Sequence, residues 1–321
     1  MDKTTVATSN DFVPMSSHAC DCGTAAVYLR VNEGRHYCGK CLTRQVERNF
    51  EKTVSKGKML QKNDTVAIGV SGGKDSMVLL HLMHRLSKKL PLKIISVTMD
   101  EGISGYRDKS IEHVNTYAEA LGIEHRIFTF DKEFDVTIDK LMEKNPTIKS
   151  CTYCGVFRRR LLNKAAREVG ANKLAVGHNL DDEAQSVLMN VMRGDMKRMG
   201  RLSHSGGKMS NKGFVRRIKP LKNIPEKEIV AYAIVNEIPY FDGECPNSFN
   251  NARRDVQTLL NEMEKKYPGT KNNIINFYRK LPAIEEKGTI SKCIKCGEPS
   301  SQDVCKACEL VEKVKTVKRN S

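Results

Sequence analysis

Two hydrophobic periods alternate along the chain after residue 63. Asp64-Thr-Val-Ala-Ile-Gly-Val70 is a short apolar run that reads as a buried strand. Asp75 to Leu90 then carries Met77, Leu79, Leu80, Leu82, Met83 and Leu86 at helical spacing. Lys93-Ile-Ile-Ser-Val97 reads as a second strand, a helix follows from about Asp108 to Gly122, and His125-Arg-Ile-Phe-Thr-Phe130 reads as a third strand. A helix from Val156 closes at Gly170, a suitable C′ glycine, and Lys173-Leu-Ala-Val-Gly177 reads as a fourth strand. Such alternation predicts an α/β fold: a doubly wound, Rossmann-like parallel sheet whose ligands sit at the carboxyl ends of the strands. Farther on, Pro225 to Asn236 and Asn251 to Lys266 read as helices.

Composition sharpens this picture. With 54 Lys plus Arg against 38 Asp plus Glu, the formal charge is +16, a surplus that favours a polyanionic partner, nucleic acid first. Met199 to Gly213, rich in Gly, Ser and Lys, fits either a connector or a mobile loop that touches RNA. Apolar stretches such as that around Met77 to Leu80 are broken within about ten residues, too short to cross a bilayer. Met1 to Ser17 is polar and lacks the basic and apolar regions of an export signal, so a cytoplasmic protein is expected. Eleven cysteines in such a chain point to metal rather than to disulfides.

Ser71-Gly-Gly-Lys-Asp-Ser76 lies between the first strand and the first helix, after Gly69. Gly72 and Gly73 let the backbone turn its N–H groups toward a phosphate. The helix N-terminus adds partial positive charge, and the Ser71 and Ser76 hydroxyls can donate hydrogen bonds. The Gly-x4-Gly-Lys spacing of a Walker A loop is absent. The pattern resembles instead the PP-loop of ATP pyrophosphatases. Gly177-His-Asn-Leu-Asp-Asp-Glu183 follows the fourth strand, where Asp181 and Asp182 are candidates to hold Mg²⁺ on the phosphates of ATP.

Cys293-x2-Cys296 and Cys305-x2-Cys308 have the spacing of a closed, structural four-thiolate zinc site. Cys20-x-Cys22 with Cys38-x2-Cys41 forms a second such set, in which His18 could stand in for Cys20 although Cys20 is preferred. Cys151, Cys154 and Cys245 remain. From spacing alone they fit a redox pair plus an unrelated buried thiol as well as a common site. The expected domains are a zinc finger over 1–48, a PP-loop catalytic domain over 49–285 and a zinc ribbon over 286–321.

Several motifs in order carry a family resemblance. They are the PP-loop, Asp100-Glu-Gly-Ile-Ser-Gly-Tyr-Arg107, Cys151-Thr-Tyr-Cys-Gly-Val-Phe-Arg-Arg159, Gly177 to Glu183, Leu188-Met-Asn-Val-Met-Arg-Gly-Asp195 and Ser300 to Cys308. Together they resemble the archaeal and eukaryotic cytoplasmic tRNA 2-thiolation proteins, over nearly the whole chain. The resemblance implies a tRNA sulfurtransferase that adenylates the C2 oxygen of a uridine, the wobble position being favoured over the T-loop. It implies a 4Fe-4S cluster on Cys151, Cys154 and Cys245 that presents hydrosulfide, and ATP contacts from Gly69, the PP-loop, Met99 and Gly177. It also implies catalytic roles for Asp182, Asp75 and Arg158. Where T-loop thiolases carry a Lys, this chain has Arg158, which suits phosphate binding better than proton transfer. A homodimer and a sulfur donor, either free sulfide or a ubiquitin-like carrier, complete the expectation. The rivals are a persulfide route through Cys151 and Cys154, a PP-loop ligase acting on a small metabolite, and a non-catalytic RNA-binding zinc scaffold.

Overall fold

A computed structural model describes residues 15–144, 146, 148–203, 213–247, 252–282 and 290–317. Residues 204–212, most of the Gly/Ser/Lys-rich segment, lie outside that set, as does the expected domain boundary at 285/286. Met199 itself belongs to a helix, Met196–Ser203.

Five strands form one parallel sheet: β1 Thr65–Gly69, β2 Lys93–Asp100, β3 His125–Thr129, β4 Lys173–Val176 and β5 Arg216–Ile218, in the order β3-β2-β1-β4-β5. The direction of winding reverses between β1 and β4, so a crevice opens beyond their carboxyl ends. β5 is the element the apolar pattern does not announce, because it reads Arg-Arg-Ile.

The helices that build the cores and the site are α1 Gly39–Lys56, α2 Lys74–Ser87, α3 Arg107–Ala120, α4 Ser150–Glu168, α5 Leu180–Met192, α6 Glu226–Val235, α7 Ala252–Lys266, α8 Thr270–Lys280 and α9 Lys306–Val317. β1 divides its side chains between two cores: Val66 and Ile68 pack with α1, α2 and α6, and Ala67 packs with α4 and the C-terminal ribbon. This two-sided burial makes β1 read as a continuous apolar run. A third core joins α5, α7 and α8 through Leu180, Ala184, Val256, Leu260 and Ile275.

α1 runs without a break through residue 48, and its Leu42, Val46 and Phe50 are buried in the α2 and α6 core. A bidentate ion pair between Arg30 and Glu228 of α6, at 2.7 and 2.8 Å, ties the N-terminal finger down further. α4 begins six residues before the expected Val156, so Cys151 and Cys154 sit on its first turns. The far end of α4 meets the C-terminal ribbon, where Arg167 pairs with Glu298.

Candidate active site and metal centres

The phosphate loop closes on itself. Ser71 N donates to Ser76 Oγ at 3.0 Å, and Ser76 Oγ donates to the Gly73 carbonyl at 2.9 Å. Gly72 has φ +86°, and a Cβ there would lie 2.6 Å from the Ser110 carbonyl of α3. At Gly177 a Cβ would meet the Asp75 carbonyl carbon at 3.2 Å, so the loops after β1 and β4 touch through backbone. Lys74 lies 2.6 Å from Glu226 and 3.3 Å from Asp75. Burial opposes its charge, but Asp75 and Glu226 more than offset this and hold the ammonium.

Asn179 organises the opposite wall. Its Nδ2 donates to Asp75 at 2.9 Å, and its side chain and backbone N form a capping box with Asp182 at the start of α5. Burial is the main force that pushes both Asp75 and Asp182 up, Asp182 to about 6 against the opposing pull of Arg253. Two carboxylates raised by burial, on the first turns of α2 and α5 and joined through Asn179, suit a hard divalent cation. Asp181 departs from its expected part in that site. One of its oxygens pairs with buried Lys271 and the other accepts from Glu226 N at 2.8 Å, which makes it an anchor between α5, α6 and α8. Asp75, rather than Asp181, therefore stands beside Asp182.

The raised Asp182 value has a measurable sign. Between its ordinary value of 3.8 and about 6 the folded state holds the proton that the unfolded state has released. This group's contribution is therefore present below 3.8 and is lost as pH rises through about 6. Without ATP or divalent ions, Asp182→Asn is expected to gain stability over the unmodified protein as pH rises from 4 to 7, read by urea melts at each pH. A constant difference across that range would contradict the assignment.

Beyond β2 lies a charge network that the sequence does not reveal. Glu101 and Arg107 are 1% and 3% exposed and pair at 2.5 Å. Arg107 Nη1 donates to the Ser71 carbonyl at 3.0 Å, and Arg158 Nη2 lies 2.8 Å from the other Glu101 oxygen. Arg158 Nη2 also donates to Cys154 Sγ at 3.1 Å. The Arg158–Arg160 run thus divides its work. Arg160 pairs with Glu133 at 3.0 Å and covers the Phe134 ring, while Arg159 is exposed. His178 is driven down to about 3, first by burial and then by Lys219, Arg217 and Arg253, and so remains neutral. Met99 is buried among core residues, so only its backbone can reach a nucleotide. Gly69 ends β1, beside Leu162 and the loop.

Cys151, Cys154 and Cys245 gather at this edge. Ser150 Oγ donates to the Asn247 carbonyl at 3.2 Å, and Cys151 Sγ lies 3.7 Å from the same oxygen, which ties the Cys245 segment to the start of α4. Burial is the main cause that raises the Cys154 and Cys245 thiols; Cys154 also feels Cys245, and Cys245 feels Cys151. Among the described residues, two other cysteine sets draw all their ligand atoms within 4.8 Å, whereas these three do not. Three soft thiolates too widely spaced for one tetrahedral ion fit a multi-iron cluster.

The two compact sets are Cys20, Cys22, Cys38, Cys41 and Cys293, Cys296, Cys305, Cys308. Either could bind a metal ion. His18 is not in the first set, its ring being stacked on His36 with 4.4 Å between centroids. Burial pushes the Cys293 thiol up, but the Cys305 N–H at 3.2 Å and neighbouring amides bring it down to about 6, favouring the metal-binding thiolate. Cys293→Ser is expected to release the metal of its set alone and to expose the amides of α9 to hydrogen exchange. Unchanged metal content would show that Cys293 is no ligand.

Comparison with known proteins agrees with this geometry. A family model described as a PP-loop domain matches residues 42–262. The tRNA 2-thiolation protein NcsA of Haloferax volcanii is 38% identical over 319 residues, covering 93% of this chain and 99% of that protein. Cytoplasmic tRNA 2-thiolation protein 1 of Danio rerio is 36% identical, covering 89% of this chain and 85% of that protein. Among solved structures, the U34-tRNA thiolase NcsA from Methanococcus maripaludis with its 4Fe-4S cluster superposes with a TM-score of 0.82 at 35% identity, covering 92% of this chain and 96% of that one. No helix among the described residues is long and apolar enough to cross a membrane.

Proposed function

The chain belongs to the PP-loop tRNA 2-thiolation proteins, and from that premise we propose that it converts the wobble uridine of tRNA to 2-thiouridine by adenylating the C2 oxygen and replacing it with sulfur. The observation that carries this reading is the juxtaposition of the phosphate loop with Cys154 through Arg107, Glu101 and Arg158. Nucleotide chemistry and thiolate chemistry share one crevice.

The C2 oxygen of uracil is a very poor leaving group, and its transfer to the α-phosphate of ATP lets it depart as AMP. The amides of Gly72 to Asp75, the α2 N-terminus and Lys74 receive the pyrophosphate, whose charge they stabilise as it develops. Asp75 and Asp182 hold magnesium, and Arg158 and Arg159 meet the phosphates of nucleotide and tRNA. Cys151, Cys154 and Cys245 hold a 4Fe-4S cluster, and such a cluster with three protein ligands supplies an iron able to bind an external sulfur donor. Zinc occupies the two four-cysteine sets and fixes the finger and the ribbon. The nucleophile is free sulfide or sulfide released from a carrier.

The test is anaerobic incubation of reconstituted protein with a tRNA transcript, ATP, magnesium and sulfide, followed by nucleoside mass spectrometry. Expected are 2-thiouridine at the wobble position and AMP formed in step with it. A transcript with cytidine at that position is expected to stay unmodified. Thiolation confined to the T-loop would overturn the assigned position, and thiolation without ATP would overturn the adenylation route.

A further inference from the structure

Glu101 touches neither the phosphate loop nor a cysteine, yet it stands between them with a carboxylate oxygen directed to each side. One oxygen pairs with Arg107 at 2.5 Å and the other with Arg158 at 2.8 Å. Arg107 passes the contact to the Ser71 carbonyl, and Arg158 passes it to Cys154 Sγ. The backbone that carries the carboxylate is held in place. The Glu101 carbonyl accepts from Ile138 N at 2.9 Å, and Gly102 N donates to Asp100 Oδ1 at 2.8 Å. Arg107, at the start of α3, is bonded through its backbone N to the Ile103 carbonyl at 2.9 Å. Two arginines on a single buried anion exceed what charge balance requires. They leave a net positive charge between the phosphate loop and the cysteines that phosphate or thiolate can complete.

From this geometry we infer that Glu101 is a positioning residue that fixes the ATP-binding loop and the Cys154 side of the cluster site against one another. The inference rests on the functional reading above, because it takes ATP at the loop and iron at the cysteines. Loss of a residue that orients a metal ligand from outside the ligand shell typically costs about 10- to 100-fold in metal affinity. Loss of one hydrogen bond to a charged group costs about tenfold in binding.

Glu101→Asp provides the discriminating test, since it keeps the charge but is one methylene too short to reach both arginines. Full-length protein is assayed two ways: magnesium-ATP affinity of the iron-free form by calorimetry, and iron retention with the electron paramagnetic resonance spectrum of the ATP-free, reduced cluster form. Glu101→Asp is expected to melt near the unmodified protein while ATP binding weakens about tenfold and iron is retained about 10- to 100-fold less tightly with a changed spectrum. Arg107→Lys is expected to weaken ATP binding and spare the iron site, whereas Arg158→Lys, which faces both phosphate and Cys154, is expected to weaken both. If Glu101→Asp keeps both properties intact, Glu101 merely balances charge and the inference fails. If it disturbs one and spares the other, the link fails. Glu101→Gln, which removes the charge, should show both defects together with a lowered melting temperature. Failure of the unmodified protein to bind ATP or iron would instead overturn the functional reading on which the inference stands.

Discussion

Gly72→Ala is expected to lower ATP turnover about a hundredfold while leaving iron and the two four-cysteine metal sites intact. Two costs add at this position. An alanine at φ +86° sits in the left-handed region, and its Cβ would lie 2.6 Å from the Ser110 carbonyl and 2.9 Å from Ser110 Cβ. The carbonyl is backbone of α3, so it cannot swing aside as a flexible side chain could. The phosphate loop must shift, and its amides no longer meet the positions of the pyrophosphate oxygens. Gly105→Ala separates the two costs, because that glycine has φ +71° but no atom within 4 Å of the place an added methyl would take. It should lose stability with little loss of turnover. ATP turnover and thermal melts of both variants check the contrast, and equal losses of turnover would show that backbone strain, rather than the clash with α3, limits the site.

The phosphate loop and the strands β1, β2 and β4 were readable because local rules place them, whereas β3 is an edge strand with none of its residues buried. A buried parallel strand must be apolar on both faces, and a loop that cradles phosphate needs its glycines in a fixed order. What escaped depends on partners far along the chain. β5 reads Arg-Arg-Ile and gains its place by pairing with β4, not by its own hydrophobicity. α4 starts at Ser150, ahead of the expected Val156, because the turn bearing Cys151 and Cys154 is held by the Asn247 carbonyl, almost a hundred residues on. Glu101 lay inside a motif that carried the family resemblance, but its two arginines are set by tertiary structure and no periodicity announces them. The pairing of Asp181 with Asp182 failed for a helical reason. Successive residues on α5 face different ways, so Asp182 turns to the cap at Asn179 while Asp181 turns to Lys271.

Replacing any one of Cys151, Cys154 and Cys245 carries the largest expected effect on the reaction. In the iron-sulfur reading, Cys151→Ala, Cys154→Ala and Cys245→Ala each lower thiolation about a hundredfold or more and release iron. Each should spare ATP-dependent pyrophosphate release and both four-cysteine sites, since α9 and the finger lie on elements of their own. Cys245 discriminates among mechanisms. Cys151 and Cys154 are three residues apart on one helix, so a dithiol that forms and resolves a persulfide needs only those two. Cys245 comes from a separate segment, held against α4 by the Asn247 carbonyl, and nothing in a two-cysteine route calls for it. A ligand set does call for it, because two thiolates on one helix turn cannot surround a cluster. Iron analysis, thiouridine formation and pyrophosphate release are measured on the same anaerobic samples. Full activity and full iron in Cys245→Ala would transfer the chemistry to the Cys151 and Cys154 pair. Loss of both with pyrophosphate release preserved would assign Cys245 to the sulfur half of the site.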